Sequence, residues 1–221
     1  MNTALNILYR DGDVVAVNKP EGIAAVPEHP HDPTCLAAQV AAALAMRVWP
    51  VHRLDKDVSG VILYALHAEA HRILNARFEQ RDVHKRYRAL TWGRVAADSG
   101  TIDQPLREFG SGRMGVDPAG KASVTAYTVL ERLTRFTLLE AQPHTGRRHQ
   151  IRAHLYSIGH PVLGDPSYGK PTKLSAKAPR LMLHASGLEL PHPMATGKSL
   201  KAHSPLPADF RRCLKLFDMG K

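Results

Sequence analysis

Residues 51–66 read VHRLDKDVSGVILYAL, and the two halves of this stretch behave oppositely. Gly60 to Leu66 is a continuous apolar run, the pattern of a strand buried on both faces. Val51 to Gly60 carries five ionisable side chains and leads straight into that strand. A polar loop at the mouth of a buried strand is where rigid scaffolds place reactive groups. Asp55 lies between Arg53 and Lys56, cations that keep a carboxylate ionised when they are also near in space. An ionised carboxylate serves as nucleophile or base. A charged surface turn is the alternative that this pattern alone leaves open.

Working outward, Leu5 to Tyr9 and Val14 to Val17 flank Asp11-Gly12-Asp13 and predict a hairpin with Asp-Gly at its turn. Leu36, Val40, Leu44 and Val48 follow helical spacing, with Asp32 or Thr34 as the cap. Ala70, Ile73, Leu74 and Phe78 give a second amphipathic helix. Tyr87 to Trp92, Val124 to Leu130, Phe136 to Ala141 and Leu181 to Leu190 read as strands. Thr145-Gly146 opens a helix carrying Ile151, Leu155 and Ile158 on one face and closed by Gly159. A short basic helix is expected near Phe210 to Phe217. Strands come in adjacent pairs more often than in alternation with helices. No G-x-G-x-x-G or Walker loop follows the first strand. The fold class is therefore α+β, a mixed, mainly antiparallel sheet with flanking helices.

The chain has 221 residues, 43% of them apolar and 23% charged, a globular composition large enough to bury a core without metal staples. No repeat or long linker interrupts it. A single domain over 1–221 is expected, with two subdomains as the finer form of that reading. Two cysteines, Cys35 and Cys213, rule out a disulfide framework and four-thiolate zinc modules. No secretory signal or membrane span is visible, so the expected location is the cytoplasm. The formal charge is +10, with the cationic excess after residue 51. That favours a polyanionic partner, nucleic acid first, against a merely basic soluble enzyme.

Two further segments carry candidate chemistry. In His144 to Leu155, Arg148 and Arg152 are four apart and share a face if the helix includes both. The helix start beside three arginines suits a phosphate, or is simply a solvated basic face. The second segment runs Arg72, Arg77, Arg81, Lys85, Arg86, Arg88 and Arg94, with Tyr87 among them, cations and an aromatic that suit a nucleic-acid surface. Thirteen histidines raise the question of metal. His67 and His71 are four apart, but H-E-x-x-H is missing and His149 and His154 are five apart, so no metal site is expected.

Together these segments resemble the RluA-type family of RNA pseudouridine synthases. His52-Arg53-Leu54-Asp55-x-x-x-Ser59-Gly60 is similar to its H-R-L-D-x-x-T-S-G signature, and Asn18-Lys19-Pro20-x-Gly22 to its K-P-x-G element. Lys85-Arg86-Tyr87 fits K-x-Y. Thr145-Gly146-Arg147-x-His149-Gln150-Ile151-Arg152-x-His154-Leu155 matches the T-G-R-x-H-Q-[IL]-R-x-H helix, followed by Gly159-His160-Pro161, Leu163-Gly164-Asp165 and Leu183-His184-Ala185. Order and spacing hold from about Leu5 to Phe210.

The resemblance implies isomerisation of a uridine in a tRNA or rRNA stem-loop, without cofactor or metal. Asp55 matches the essential aspartate that acts on the flipped-out nucleotide, and Tyr87 the tyrosine against the base. Arg152 matches the basic residue paired with that aspartate. Arg53 matches an arginine that fills the vacated stack. His52, Lys85, Arg147, Arg148 and His149 are carried over as RNA-binding positions. Val58 stands where the family has Thr. The chain is expected to be a short form without the S4 module, acting as a monomer with no obligate protein partner and no membrane. The rival readings are a catalytically silent RNA-binding module on the same scaffold and a metal-dependent nucleic-acid hydrolase using Asp55, Asp57 and histidines.

Overall fold

A computed structural model of the chain describes residues 5–27, 29, 32–169 and 178–218. The elements in order are β1 (Ile7–Arg10), β2 (Val14–Lys19), α1 (Leu36–Leu44), β3 (Trp49–Pro50), β4 (Ser59–Ala65), α2 (Ala68–Glu79), β5 (His84–Trp92) and β6 (Ser99–Asp103). They continue with β7 (Leu106–Glu108), β8 (Met114–Val116), β9 (Val124–Arg132), β10 (Phe136–Pro143), α3 (Gln150–Ser157), β11 (Leu183–Pro191), β12 (Ser199–His203) and α4 (Ala208–Asp218). The expected α+β class holds: the strands pair mainly antiparallel and helices accompany them. The chain divides into two compact units, Met1–Lys85 with Ala185–Pro205, and Arg86–His184 with Leu206–Lys221.

In the first unit the strand order is β1-β2-β4-β11-β12, with β3 also against β4. All seven residues of β4 are buried, as its unbroken apolar run predicts. Val61, Leu63 and Ala65 share a core with Val14, Ala16, Leu188, Leu190 and with Ala70 and Leu74 of α2. Burying one such leucine or isoleucine stabilises the fold by roughly 1.5–3 kcal/mol. From β4 the Tyr64 hydroxyl donates to the Ala25 carbonyl at 3.0 Å. Gly60 sits at φ +116°, and a Cβ there would come within 2.1 Å of the Ala185 carbonyl oxygen. Glycine is therefore required where the polar loop becomes strand.

The second unit is an antiparallel sheet ordered β5-β10-β9-β6. The β7–β8 hairpin packs on α3 through Leu106, Met114, Ala153 and Tyr168. Helix α4 buries Phe210, Cys213 and Phe217. The Phe217 ring lies 4.4 Å from Phe136, which is 4.9 Å from Trp92.

Several local expectations change. The cap of α1 is Cys35, whose Sγ accepts the Ala38 N–H at 3.4 Å. Asp32 instead accepts from the Thr34 N–H and hydroxyl. The helix stops at Ala45 in the left-handed region, so Val48 lies outside it. Helix α3 begins at Gln150 rather than Thr145. The short strands β3, β6, β7, β8 and β12 have too few residues to show a period, and the sequence pattern does not mark them.

Candidate active site

In the first unit the loop between β3 and β4 is anchored by three buried apolar side chains, Val51, Leu54 and Val58. They leave Arg53 and Lys56 exposed and Asp55 half-buried. Asp55 opens a tight turn in which the Val58 N–H donates to the Asp55 carbonyl at 3.1 Å. Val58 itself is packed inward, an environment in which valine leaves no hydroxyl to satisfy.

The turn is held from behind by Lys19 at the end of β2. Its side chain is fully buried, and the ammonium donates to the carbonyls of Pro20 at 2.9 Å, Lys56 at 2.7 Å and Val58 at 2.8 Å. The Gly22 N–H donates to the same Lys56 carbonyl at 2.9 Å. A charged side chain out of water needs such partners, and three carbonyls supply them. Residue-by-residue reading gives Lys19 no role. The available signal is a lone lysine closing an apolar strand before Pro-x-Gly.

His52 is turned inward as well. Its ring stacks on Phe78 at 5.0 Å, and its Nε2 accepts the Leu63 N–H at 3.0 Å. Burial, with the Lys85 ammonium nearby, pushes its pKa down to about 3. The ring is neutral and fastens the loop to β4. Lys85 is itself pushed down to about 8 by burial.

In the second unit Tyr87 stands on β5 opposite Ala141 of β10 and is half-buried. Arg152 is buried on α3. Its Nε donates to Asp165 Oδ2 at 2.7 Å and an Nη to Oδ1 at 2.9 Å, a bidentate fork that fixes the guanidinium plane. Asp165 Oδ1 also accepts the N–H groups of Ser167 and Tyr168. The guanidinium carbon lies 5.3 Å from the Tyr168 ring.

The segment before α3 is arranged by Gln150. Its Oε1 accepts from the Thr145 hydroxyl at 2.6 Å and the Arg147 N–H at 3.0 Å, while its Nε2 donates to the Val124 carbonyl at 2.9 Å. The expected row of open N–H groups beside three arginines is thus partly occupied by Gln150. Arg148 precedes the helix and shares no face with Arg152; its guanidinium reaches Glu108 at 2.5 Å. His149 takes a left-handed backbone, φ 51°, with its ring edge-on to Tyr168. Among the predicted positions, His52, Arg53, Asp55 and Lys85 therefore lie in the first unit, and Tyr87, Arg147, Arg148, His149 and Arg152 in the second.

Asp11, Asp13 and His192 of the first unit bring possible metal-ligand atoms within 4.8 Å of one another. Their hydrogen bonds argue for a different role. His192 Nδ1 accepts the N–H groups of Met194 and Ala195, which leaves its proton on Nε2, 2.7 Å from Asp11. His67 does the same, with Nδ1 accepting from Ala70 and Nε2 2.9 Å from Asp13. A nitrogen that carries a proton has no lone pair for a metal. Burial alone would raise the Asp11 pKa, but hydrogen bonds from Tyr9, His192 and the Asp13 and Val14 N–H groups hold it near 2. The cluster ties the β1–β2 turn to α2 and to the end of β11. His71, by contrast, faces the Pro50 carbonyl.

A sequence profile described as RNA pseudouridylate synthase matches residues 13–157. The chain is 40% identical to a ribosomal large subunit pseudouridine synthase D of Pseudomonas aeruginosa over 96% of its own length and 71% of the relative's. It is 36% identical to the protein of the same name in Haemophilus ducreyi, over 95% and 69%. Among solved structures, human RNA pseudouridylate synthase domain containing 1 superimposes with a TM-score of 0.82 at 29% identity, covering 96% of this chain and 89% of that one. Human RNA pseudouridylate synthase domain containing 4 gives 0.77 at 28%, covering 95% and 92%.

Proposed function

This chain belongs to the RNA pseudouridylate synthase family, and we propose that it isomerises uridine in large-subunit ribosomal RNA, with Asp55 acting on a flipped-out nucleotide. The relatives' names support the ribosomal substrate. The observation that carries the residue assignment is the Asp55 turn: a half-buried carboxylate on a backbone clamped by Lys19 and His52.

The chemistry is an isomerisation. The N1–C1′ glycosidic bond breaks, a C5–C1′ bond forms, the C5 proton leaves and N1 gains one. Atoms and charge balance without an external reagent. N1 is buried in a paired or stacked uridine, so the nucleotide leaves the stack, at a cost of a few kcal/mol. Arg53, exposed beside Asp55, fills the vacated stack. Asp55 serves by addition to the base, by attack on the sugar or by abstracting a sugar proton; each begins from the ionised carboxylate. Tyr87 lies against the base and assists proton transfer at C5. Arg152 acts as the basic residue that the family's motif pairs with the aspartate, its fork pre-set by Asp165. Lys85, Arg147, Arg148 and His149 contact the RNA. His52 contributes through the loop it fastens. The protein works as a cytoplasmic monomer on an RNA stem-loop. Among the described residues no helix is long and apolar enough to cross a membrane.

The test is pseudouridine-specific chemical mapping of total rRNA and tRNA from cells with and without the protein, and with Asp55→Ala restored. A ribosomal position that loses its mark and regains it only with the wild type is the expected result. A tRNA position behaving so would move the substrate, and no change at any position would leave a silent RNA-binding module.

A further inference from the structure

The second unit carries a cationic surface that the reacting residues do not use. Arg94 follows β5, and Arg135 precedes β10; both are exposed. Their backbones are tied where the Gly93 N–H donates to the Arg135 carbonyl at 2.9 Å. Next to them, the mutually tilted rings of Trp92, Phe136 and Phe217 dock the end of α4. That helix buries Phe210, Cys213 and Phe217 and turns Arg211, Arg212 and Lys215 outward. Its acidic residue in the first turn, Asp209, faces inward to Arg180 Nε at 3.1 Å. Other arginines of this unit are paired with carboxylates, Arg88 with Glu140, Arg107 with Asp117, Arg132 with Asp98 and Arg148 with Glu108. Among the described residues, Arg94, Arg135, Arg211 and Arg212 have no carboxylate within ion-pair distance.

We propose that these five side chains, Arg94, Arg135, Arg211, Arg212 and Lys215, form a phosphate-binding surface for the helical flank of the RNA. The proposal rests on the RNA-isomerase reading above. The surface begins at Trp92, five residues along β5 from Tyr87, or about 17 Å at the rise of a strand. That is on the order of five base-pair steps from the reacting nucleotide, beyond reach of any residue that touches it. Three elements supply the cations, and the described acid in the first turn of α4, Asp209, is turned to Arg180, an arrangement that suits a row of phosphates more than a folded acidic protein surface. Contacts of this kind position the RNA and carry no base information, and they help offset the cost of extracting a nucleotide.

The experiment is fluorescence anisotropy with a labelled hairpin transcribed from large-subunit ribosomal RNA, across a salt series. It compares wild type, Arg212→Glu with Lys215→Glu, Arg94→Gln with Arg135→Gln, and a control reversing two exposed cations of the first unit, Arg10→Glu with Lys198→Glu. Melting temperatures and pseudouridine formation are recorded on the same samples. Each patch variant should lower the slope of log affinity against log salt by about 2 and weaken binding about tenfold, with turnover at saturating RNA unchanged. Wild-type slope and affinity in both patch variants would overturn the proposal. So would an equal loss in the control, which would reduce the effect to net charge. A wild type that binds the hairpin but forms no pseudouridine would sink the enzymatic reading, while the binding comparison would still decide the patch.

Discussion

The fully buried Lys19 ammonium donates to the Val58 carbonyl at 2.8 Å, and to the Lys56 carbonyl two residues earlier at 2.7 Å. The turn that presents Asp55 is therefore fixed through its backbone by a residue more than thirty positions upstream. Its geometry does not depend on what the exposed side chains of the turn are doing.

Replacing Lys19 with Met should destabilise the protein by about 1–3 kcal/mol, because the buried Val58 carbonyl loses its donor while the part-buried Lys56 carbonyl keeps the Gly22 N–H. Urea unfolding followed by circular dichroism measures this. A loss below 1 kcal/mol would mean that water reaches those carbonyls. Lys19→Arg should not restore the wild type, since a planar fork cannot converge on three carbonyls as an ammonium does.

The neutral ring of His52 predicts a pH dependence with a definite sign. Its pKa falls from 6.5 to about 3 on folding, so below 6.5 the unfolded chain binds the proton that the folded chain excludes. Stability from this group is complete above pH 6.5 and declines by about 1.4 kcal/mol per unit as the pH falls toward 3. Between pH 6.5 and 5 the wild type should lose about 2 kcal/mol that His52→Gln does not lose. Equal slopes for the two proteins would show that the ring is protonated in the folded state.

The Arg152–Asp165 fork is a buried pair, and breaking one side leaves an uncompensated charge. Asp165→Ala should cost about 3–5 kcal/mol. Arg152→Lys should keep a charge but lose the bidentate geometry, and with it most of the turnover. Near-normal turnover by Arg152→Lys would remove the role assigned to the guanidinium. Thermal melts and pseudouridine assays on the same preparations separate the two effects.

Asp55→Asn should abolish pseudouridine formation while shifting the melting temperature by no more than a few degrees, since the side chain is half-exposed and the turn is held by its backbone. Tyr87→Phe should bind RNA normally and turn over slowly. Full activity of Tyr87→Phe would end its proton-transfer role, and any sustained turnover by Asp55→Asn would end that of the carboxylate.

Much of this was legible in the residues. The seven-residue run of β4, the Asp-Gly hairpin and the period of α2 each repeat often enough within one element to declare it. Asp55, Tyr87 and Arg152 stand out as candidates for another reason: several short motifs follow one another in order along nearly the whole chain. Thr145-Gly146 looks like a cap and predicts a start for α3 five residues before Gln150, where the helix begins. In the folded chain the Gln150 side chain satisfies that segment instead, and this bond is long-range in effect though short in sequence.

By itself, then, the sequence determined the class of fold, the buried strand behind the polar loop, and the identity of the charged residues beside it. Those follow from local periodicity and composition, which each short stretch carries alone. Only the tertiary structure decided what each polar group is bonded to. Lys19 and His52 are structural because the fold takes them out of water and hands them backbone partners. Arg152 is aimed by Asp165, and the Asp11 cluster is a hydrogen-bonded tie because backbone N–H groups set the tautomers of His67 and His192. Burial and partnership are properties of residues brought together from distant positions, so no window of sequence contains them.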